Sequence, residues 1–564
     1  MAVRPVLECV PNFSEGRDRA VIDELVRRMA AVDGVQVLNV EPGRATNRTV
    51  VTFVGPPDAV VEAAFQSAVA AAELIDMRHH AGEHPRFGAL DVCPLVPVAG
   101  ITMDETVEYA RRLGQRIGDE LSIPVYCYEF AATTPERRNL ADVRAGEYEG
   151  LVEKLARPEW RPDYGPAEMN RRSGATAVGA RKFLVAFNVN LNTTSTRRAN
   201  AIAFDVREKG RIKRASDPLT GAIVRDAAGA PVWEPGSLEA VKGIGWFIEE
   251  YGIAQVSLNL TDLDVTPLHV AFEEVCRRAE ARGVRVTGSE LVGVVPLAAM
   301  LDAGRHFLGK QHRSLGIPDR EILAIAARSL GLGELRPFDP HEKIIEYAMR
   351  DRGARRLVDR SVEGFAQETA AETPAPGGGS VAAAAGAFGA ALGTMVANLS
   401  SHKRGWDARW EEFSEWAERG KRCYEDLLRL VDEDTAAFNR LLAAMGLPRE
   451  TEEERAARAA AMQEATRGAI EVPLRVMEVA LEAMAVTRRM AEQGLPSSVS
   501  DAGVGALCAR TAVRGAGYNA RINLSGVKDE AYRREVLARV ADLERRAEAL
   551  ERETLAFVDA KIKA

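Results

Sequence analysis

The first 130 residues switch between two hydrophobic periods. Short runs dense in apolar and β-branched residues, Val6–Val10, Val35–Val40, Arg48–Val54, Leu90–Val98 and Pro124–Tyr128, predict strands. Between them, Asp18–Val32, Pro57–Leu74 and Asp104–Leu121 carry apolar residues at helical spacing. Up to Val98 the order is β-α-β-β-α-β, the split βαβ arrangement of ferredoxin-like domains. A second passage of similar order follows. Its strand-like runs are Lys182–Asn190, Ala240–Ile248, Ala254–Leu260 and Arg285–Gly288; its helix-like runs are Thr196–Lys209, Pro267–Arg282 and Pro296–Phe307. Within it, Ala215–Gly236 is rich in Asp, Pro and Gly and predicts a protruding hairpin insertion, with turn chemistry at Leu219–Ala222 and Ala228–Ala230.

From about Pro337 the β-branched clusters thin out and Ala, Glu, Arg and Leu take over. Arg336–Pro340 and the charged run Arg352–Arg360 read as a connector. Beyond it, Ser380–Leu399, Trp406–Met445, Glu452–Gln493, Ala502–Asn523 and Asp529–Lys563 are long amphipathic patterns without strands, which predict a helical bundle. The expected fold class is therefore an α+β (α/β) N-terminal region of two ferredoxin-like-order subdomains followed by an all-α helical bundle. The expected divisions are 1–180, 181–336, a linker at 337–360, and 361–564.

At 564 residues the chain exceeds what one core supports, in keeping with that division. The net charge of -8 leaves no basic surplus to neutralise phosphates, so no nucleic-acid partner is expected. The six cysteines are scattered and none forms a CxxC pair, which points to reduced thiols rather than a disulfide framework or a zinc knuckle. No basic stretch followed by an apolar run opens the chain, so no secretory signal and a cytoplasmic location are expected. Val381–Leu399 is apolar through Ala and Gly rather than Leu and Ile, which reads as a close-packed core helix and not a membrane span.

Candidate chemistry concentrates in two places. Glu83-His84-Pro85-Arg86-Phe87-Gly88-Ala89-Leu90-Asp91 sets an imidazole, carboxylates and a guanidinium on a turn that enters a strand. Pro85 biases His84 towards extended backbone, and histidine is the side chain best suited to exchange protons near neutral pH. His79, His80 and His84 have no regular ligand spacing, so no metal is expected. His79 suits the end of the preceding helix, and His80 is placed to stand behind His84. Read from residues alone, His84 serves as well as a structural tie between loops, and Arg86 as well in a surface salt bridge.

In the bundle, Leu427, Leu430, Val431, Asp434, Ala437, Phe438 and Leu441 recur at helical spacing. Asp434 is thus a carboxylate in an apolar stripe, either paired or with a raised pKa, whereas Asp432 and Glu433 fall on the solvated side. Gly377-Gly378-Gly379-Ser380 precedes a helix, with Ser380 suited to be its N-cap.

Glu8–Gly16, Glu83–Asp91, Gly174-Ala175-Thr176 and Gly179-Ala180-Arg181-Lys182 resemble the transferase half of the formiminotransferase-cyclodeaminase family, and Ala375–Ala382 resembles the opening of its cyclodeaminase half. The likeness follows the family order along nearly the whole chain. It implies a bifunctional folate enzyme of histidine breakdown. The formimino group of N-formimino-L-glutamate passes to tetrahydrofolate, releasing L-glutamate; 5-formimino-tetrahydrofolate then cyclises to 5,10-methenyl-tetrahydrofolate with loss of ammonia. It also implies a tetrahydrofolate cosubstrate carrying a polyglutamate tail, and a homo-oligomer.

By this resemblance His84 matches the catalytic histidine and Asp434 the catalytic aspartate. Arg86 would anchor a substrate carboxylate. The hairpin carrying Glu41 (where the family commonly has Asp), Asn47 and Arg48 would face the same cleft. Gly165, Pro166 and Gly174 bound the family's folate-binding stretch, and Gly377, Gly378, Gly379 and Ser380 would line the cyclodeaminase pocket. Two alternatives share the transferase but differ in the bundle, as an inert oligomerisation module or as a methenyl-tetrahydrofolate cyclohydrolase.

Overall fold

The computed structural model describes residues 5–44, 46–82, 84–216, 221–349 and 356–563. Glu83, the Leu219–Thr220 turn and the first part of the charged run at 352–355 lie outside them. The chain divides into two compact units, residues 1–303 with 326–350, and residues 304–325 with 351–564.

The first unit is built on two sheets. Strands β1 (Val6–Cys9), β2 (Asn12–Phe13), β3 (Gln36–Gly43), β4 (Arg48–Gly55) and β5 (Leu90–Ala99) alternate with helices α1 (Arg19–Ala30) and α2 (Pro57–Leu74). β4 pairs antiparallel with β3 on one side and β1 on the other, and β1 pairs antiparallel with β5. This order, β3-β4-β1-β5, is that of the split βαβ unit. Asp18 caps α1 by accepting from the amides of Ala20 and Val21.

The sheet does not stop there. After α3 (Met103–Leu121), opened by a Thr102/Glu105 capping box, come β6 (Val125–Glu129), the short helices α4 (Leu140–Val143) and α5 (Leu151–Leu155), and β7 (Thr176–Ala180). β7 lies between β5 and β6, parallel to both. The run Thr-Ala-Val-Gly-Ala holds only two strand-favouring residues, Thr176 and Val178, and the Ala and Gly between them dilute the pattern. It is a strand because it is buried throughout and needs only small side chains: a Cβ on Gly179 would lie 2.5 Å from the Tyr128 ring.

Strand β8 (Val185–Leu191), helix α6 (Thr196–Val206), the hairpin β9 (Arg211–Ile212) and β10 (Trp233–Glu234), β11 (Val241–Ile248), β12 (Ile253–Leu260), α7 (Leu268–Glu280) and β13 (Val286–Val292) follow. β8, β11, β12 and β13 make the second main sheet, order β11-β12-β8-β13, all antiparallel, and β9 and β10 pair only with each other as a small separate sheet. This repeats the first four-strand order. The predicted insertion is the β9–β10 hairpin and its tip, where Asp226 accepts from the amides of Ala228 and Ala230.

Helices α8 (Leu297–Lys310) and α9 (Asp319–Ser329) follow, and the division between the two units falls within each. The stretch from 337 is not a bare connector. α10 (Pro340–Lys343) and α11 (Ile345–Ala348) belong to the first unit, because Ile344 and Ile345 are buried and Ile344 bridges to Val295.

In the second unit α12 (Val362–Ala370) leads to α13 (Gly378–Ser401), α14 (Trp410–Met445), α15 (Glu452–Gln493), α16 (Val499–Asn523) and α17 (Glu530–Ile562). The core joins Leu427, Leu430 and Val431 of α14 to Ile470–Met484 of α15 and Ala509–Ala520 of α16. α13 is long and apolar enough to cross a membrane, but 67% of its most apolar window is buried inside this bundle. Its Gly and Ala residues let neighbouring backbones approach, as expected for a core helix.

Candidate active sites

In the first unit, the loop before β5 is held by its neighbours. Ser14 donates its hydroxyl to the Gly88 carbonyl at 2.7 Å, and Ala175 donates its amide to the Phe87 carbonyl. Gly88 bridges Gly174, and a Cβ on Gly88 would sit 1.8 Å from the Ala175 carbonyl oxygen. The motifs around Ser14 and Gly174 therefore act as a cradle for this loop. On the other side, Asn47 accepts from the Gly16 amide at 3.0 Å and donates to the Ala81 carbonyl at 3.1 Å. Both ends of its amide are used, so Asn47 clamps the hairpin rather than facing a ligand, and it does so with positive φ, 47°.

The clamp delivers Arg48. Its Nη1 lies 2.8 Å from His84 Nε2, while His84 Nδ1 lies 2.7 Å from the Pro85 carbonyl. A carbonyl only accepts and a guanidinium only donates, so the tautomer is determined: Nδ1 carries the proton and Nε2 presents its lone pair to Arg48. Burial, then the charges of Arg48 and Arg144, push the His84 pKa down to about 4. His84 is half-buried and neutral near pH 7.

Two further residues belong here that sequence reasoning left without a role. Asp91 is 1% exposed, accepts from the Phe87 amide at 2.9 Å and pairs with Arg144 at 2.7 Å. Burial raises its pKa against the pull of Arg144. Asp91 closes the histidine motif and was visible there; Arg144, on a loop after α4, carries no local signal.

Arg86 is not available to a ligand. It forks onto Glu149 at 2.7 and 2.8 Å, reaches Glu147 at 3.2 Å, and donates Nε to His80 Nδ1 at 3.3 Å. His80 in turn donates Nε2 to the Asn47 carbonyl at 2.8 Å. His80 thus braces the clamp instead of backing His84, and His79 is an exposed end of a short 3-10 turn beyond α2. Glu41 accepts from the Gly293 amide at 2.8 Å, which commits one oxygen to β13's end. Of the folate-stretch residues, Gly174 abuts the Phe87–Gly88 backbone. Gly165, followed by the exposed Pro166, packs instead against Ile123 and Gly118 near the end of α3, with φ +78°.

In the second unit the geometry is simpler. α13 begins at Gly378 with Gly377 as N-cap and no side-chain cap. Ser380 is therefore inside the first turn, not the cap. Its hydroxyl donates to Asp434 Oδ2 at 3.1 Å and lies 3.1 Å from the Thr435 hydroxyl, and its amide also bonds the Asp434 carboxylate. A carboxylate from α14 thus takes the place of a local cap, where unpaired amides and the helix dipole favour an anion. Gly379 makes the approach possible: a Cβ there would lie 2.1 Å from Asp434 Oδ1. Across from it, the Asn519 amide of α16 faces Gly378, 3.4 Å from where a Cβ would stand.

The two Ser380 hydrogen bonds lower the Asp434 pKa, but burial outweighs them and the net shift is upward. Leu427, Leu430, Val431 and Ala437 around it are buried as the stripe predicts. Asp432 is not on a solvated face; it is half-buried and accepts from the Leu357 amide at 2.6 Å.

Comparison with known proteins covers both units. Family models match residues 6–181 (formiminotransferase domain, N-terminal subdomain), 186–350 (formiminotransferase domain) and 361–542 (formiminotransferase-cyclodeaminase). The chain is 44% identical to formimidoyltransferase-cyclodeaminase of Mus musculus over 95% of its own length and 96% of the relative's. A 303-residue stretch is 42% identical to glutamate formimidoyltransferase of Streptococcus pyogenes, over 54% of this chain and 93% of the relative. A 204-residue stretch is 35% identical to methenyltetrahydrofolate cyclohydrolase of Methylorubrum extorquens, over 36% of this chain and 98% of the relative.

Proposed function

The chain belongs to the formimidoyltransferase-cyclodeaminase family, and from that premise we propose which side chains divide the work. It is a bifunctional enzyme of folate-linked histidine degradation, a transferase and a cyclodeaminase. In the first unit, N5 of tetrahydrofolate attacks the formimino carbon of N-formimino-L-glutamate. His84 Nε2 takes the N5 proton and returns it to the glutamate nitrogen as that carbon–nitrogen bond breaks. In the second unit, N10 of 5-formimino-tetrahydrofolate attacks the same carbon. The formimino group enters as its amidinium, so once Asp434 moves the N10 proton to the amino group of the adduct, ammonia leaves and the cationic methenyl bridge remains. A raised pKa suits a carboxyl that must both accept and give that proton.

The observation that carries this division is Asp434 seated on the first turn of α13, with the glycine beside it lacking the Cβ that would keep it out. A scaffold needs only a cap there; a carboxyl whose pKa burial raises is a weaker cap and a better proton carrier. The cyclohydrolase likeness favours a second reading, in which the bundle hydrolyses the methenyl bridge. Supplying 5-formimino-tetrahydrofolate and, separately, 5,10-methenyl-tetrahydrofolate to the enzyme decides between the three. Ammonia with methenyl-tetrahydrofolate from the first supports the cyclodeaminase; an unchanged first substrate with enzyme-dependent hydrolysis of the second to formyl-tetrahydrofolate supports the cyclohydrolase; no enzyme-dependent change in either supports the scaffold.

A homo-oligomer belongs to the same proposal. α13 exposes Val381, Phe388 and Leu399, and α16 exposes Val504, Leu507 and Ile522, the last at 71%; such apolar faces mark association sites. Light scattering on the full chain tests it, with a monomer as the contrary result. We also propose a polyglutamylated folate and a cytoplasmic location, the latter in keeping with six unbonded cysteines. The polyglutamate tail is tested by comparing KM for mono- and pentaglutamate forms.

A further inference from the structure

Arg48 has no carboxylate partner among the described residues. Its one hydrogen bond goes to His84 Nε2, and its buried Nε has no acceptor. Arg144 approaches from the loop after α4, held by Asp91 through a single Nη2 bond, and its buried Nε is likewise unpaired. Two guanidiniums thus face His84, and among the described residues the charge between them is balanced by Asp91 alone, which is 1% exposed and committed to Arg144 and the Phe87 amide. Arg86 adds no positive charge to this balance: Glu149 neutralises it, and Glu147 brings a further carboxylate that stands exposed to solvent beside Arg86. Among the described residues in the Arg48–His84–Arg144 cluster itself, one positive charge is left over beside the imidazole. The lone pair that His84 needs for proton transfer is also occupied, because Arg48 donates into it.

We propose that Arg48 and Arg144 form the receptor for a carboxylate of the formimino donor, and that filling it draws Arg48 off His84 Nε2. Substrate binding and activation of the base are then one event. A carboxylate accepts two parallel N–H bonds from a guanidinium far better than an imidazole accepts one. The incoming anion replaces the excess positive charge with a neutral cluster, so the imidazolium formed during transfer is no longer repelled. Until the donor arrives the base is masked. The proposal rests on His84 as the proton carrier, and extends it to the side of the site that reads the glutamate end of the donor.

The test compares two donors on the full chain, N-formimino-L-glutamate and N-methylformamidine, which carries the same reacting group without a carboxylate. Arg48→Met should lower kcat/KM for formiminoglutamate at least tenfold. It should also raise transfer from N-methylformamidine two- to fivefold, because the lone pair is unmasked. Arg144→Lys should lower kcat/KM for formiminoglutamate by a larger factor than that for N-methylformamidine; if that variant fails to fold, Arg48→Met decides alone. Acetate should speed transfer from N-methylformamidine by the wild type and not by Arg48→Met. A parallel loss with both donors in Arg48→Met overturns the receptor while leaving His84 in place. Full transfer by His84→Ala overturns the underlying assignment and this proposal with it.

Discussion

In the α/β unit the proposed proton carrier is a base set among cations; in the helical bundle it is an acid set on the positive end of a helix. Burial acts on both and favours the neutral form of each, lowering His84 and raising Asp434. The neighbours differ in what they add. Arg48 and Arg144 deepen the His84 shift, whereas the Ser380 bonds oppose the Asp434 shift. Among its described residues the first site carries one more cation than anion, the charge that the proposed donor carboxylate would balance. The second is complete in itself: a carboxylate, a hydroxyl and a helix terminus already satisfy one another. Two sites built for one carbon unit thus differ in where the missing charge must come from.

The sharpest way to break this comparison is to remove each carrier in turn. His84→Ala should cost the transferase on the order of 10²–10⁴-fold and leave cyclisation intact, and Asp434→Asn should do the reverse. Separate assays with formiminoglutamate and with 5-formimino-tetrahydrofolate read this out, and equal losses in both would dissolve the division. Next in size is Gly379→Ala. The added methyl must displace Asp434 or the start of α13 by about 1 Å, so cyclodeaminase activity should drop by roughly 10²-fold with the transferase unchanged. Retained activity would mean that the close seat of the carboxylate does not matter.

Stability against pH sharpens the electrostatic half. Glu8 on β1 is 4% exposed, and burial raises its pKa to about 7 from the ordinary 4.5. The folded state then holds more protons than the unfolded one between those values, so this group's contribution falls as pH rises through that window. Glu8→Gln should stabilise the α/β unit by on the order of 1–3 kcal/mol above pH 7, and by much less at pH 4.5. His84 works in the opposite sense. Its pKa of about 4 lies below the ordinary 6.5, so the unfolded state holds more protons in between and stability falls as pH drops through that range. His84→Gln should flatten the acid limb of thermal melts; an unchanged limb would count against burial, with the Arg48 and Arg144 charges, as what lowers this pKa.

The smallest expected effect belongs to Arg86. Arg86→Met should lower melting temperature through loss of the Glu149 fork and the His80 bond, yet leave KM for formiminoglutamate within about twofold. A tenfold rise in KM would restore it as a ligand anchor.

The alternation of hydrophobic periods by itself determined the two β-α-β-β-α-β passages and the helical remainder, because burying one face of a strand or helix leaves a local imprint. The apolar stripe on α14 likewise marked Asp434, since a carboxylate among leucines conflicts with its surroundings wherever the helix packs. Other features exist only across the fold. β7 is a strand because of what covers it, since two strand-favouring residues, Thr176 and Val178, among Ala and Gly do not mark it locally. Arg86 read as either a ligand anchor or one arm of a salt bridge, and it is the latter because Glu147 and Glu149 lie on a loop 61 and 63 residues further on. Ser380 looked like a cap and is displaced from that task by a carboxylate on another helix. Arg144 gave no sign at all. Charge pairing and hydrogen bonding depend on distance in space, to which spacing along the chain is blind, and so only the tertiary structure decided which guanidinium faces His84 and which is already neutralised.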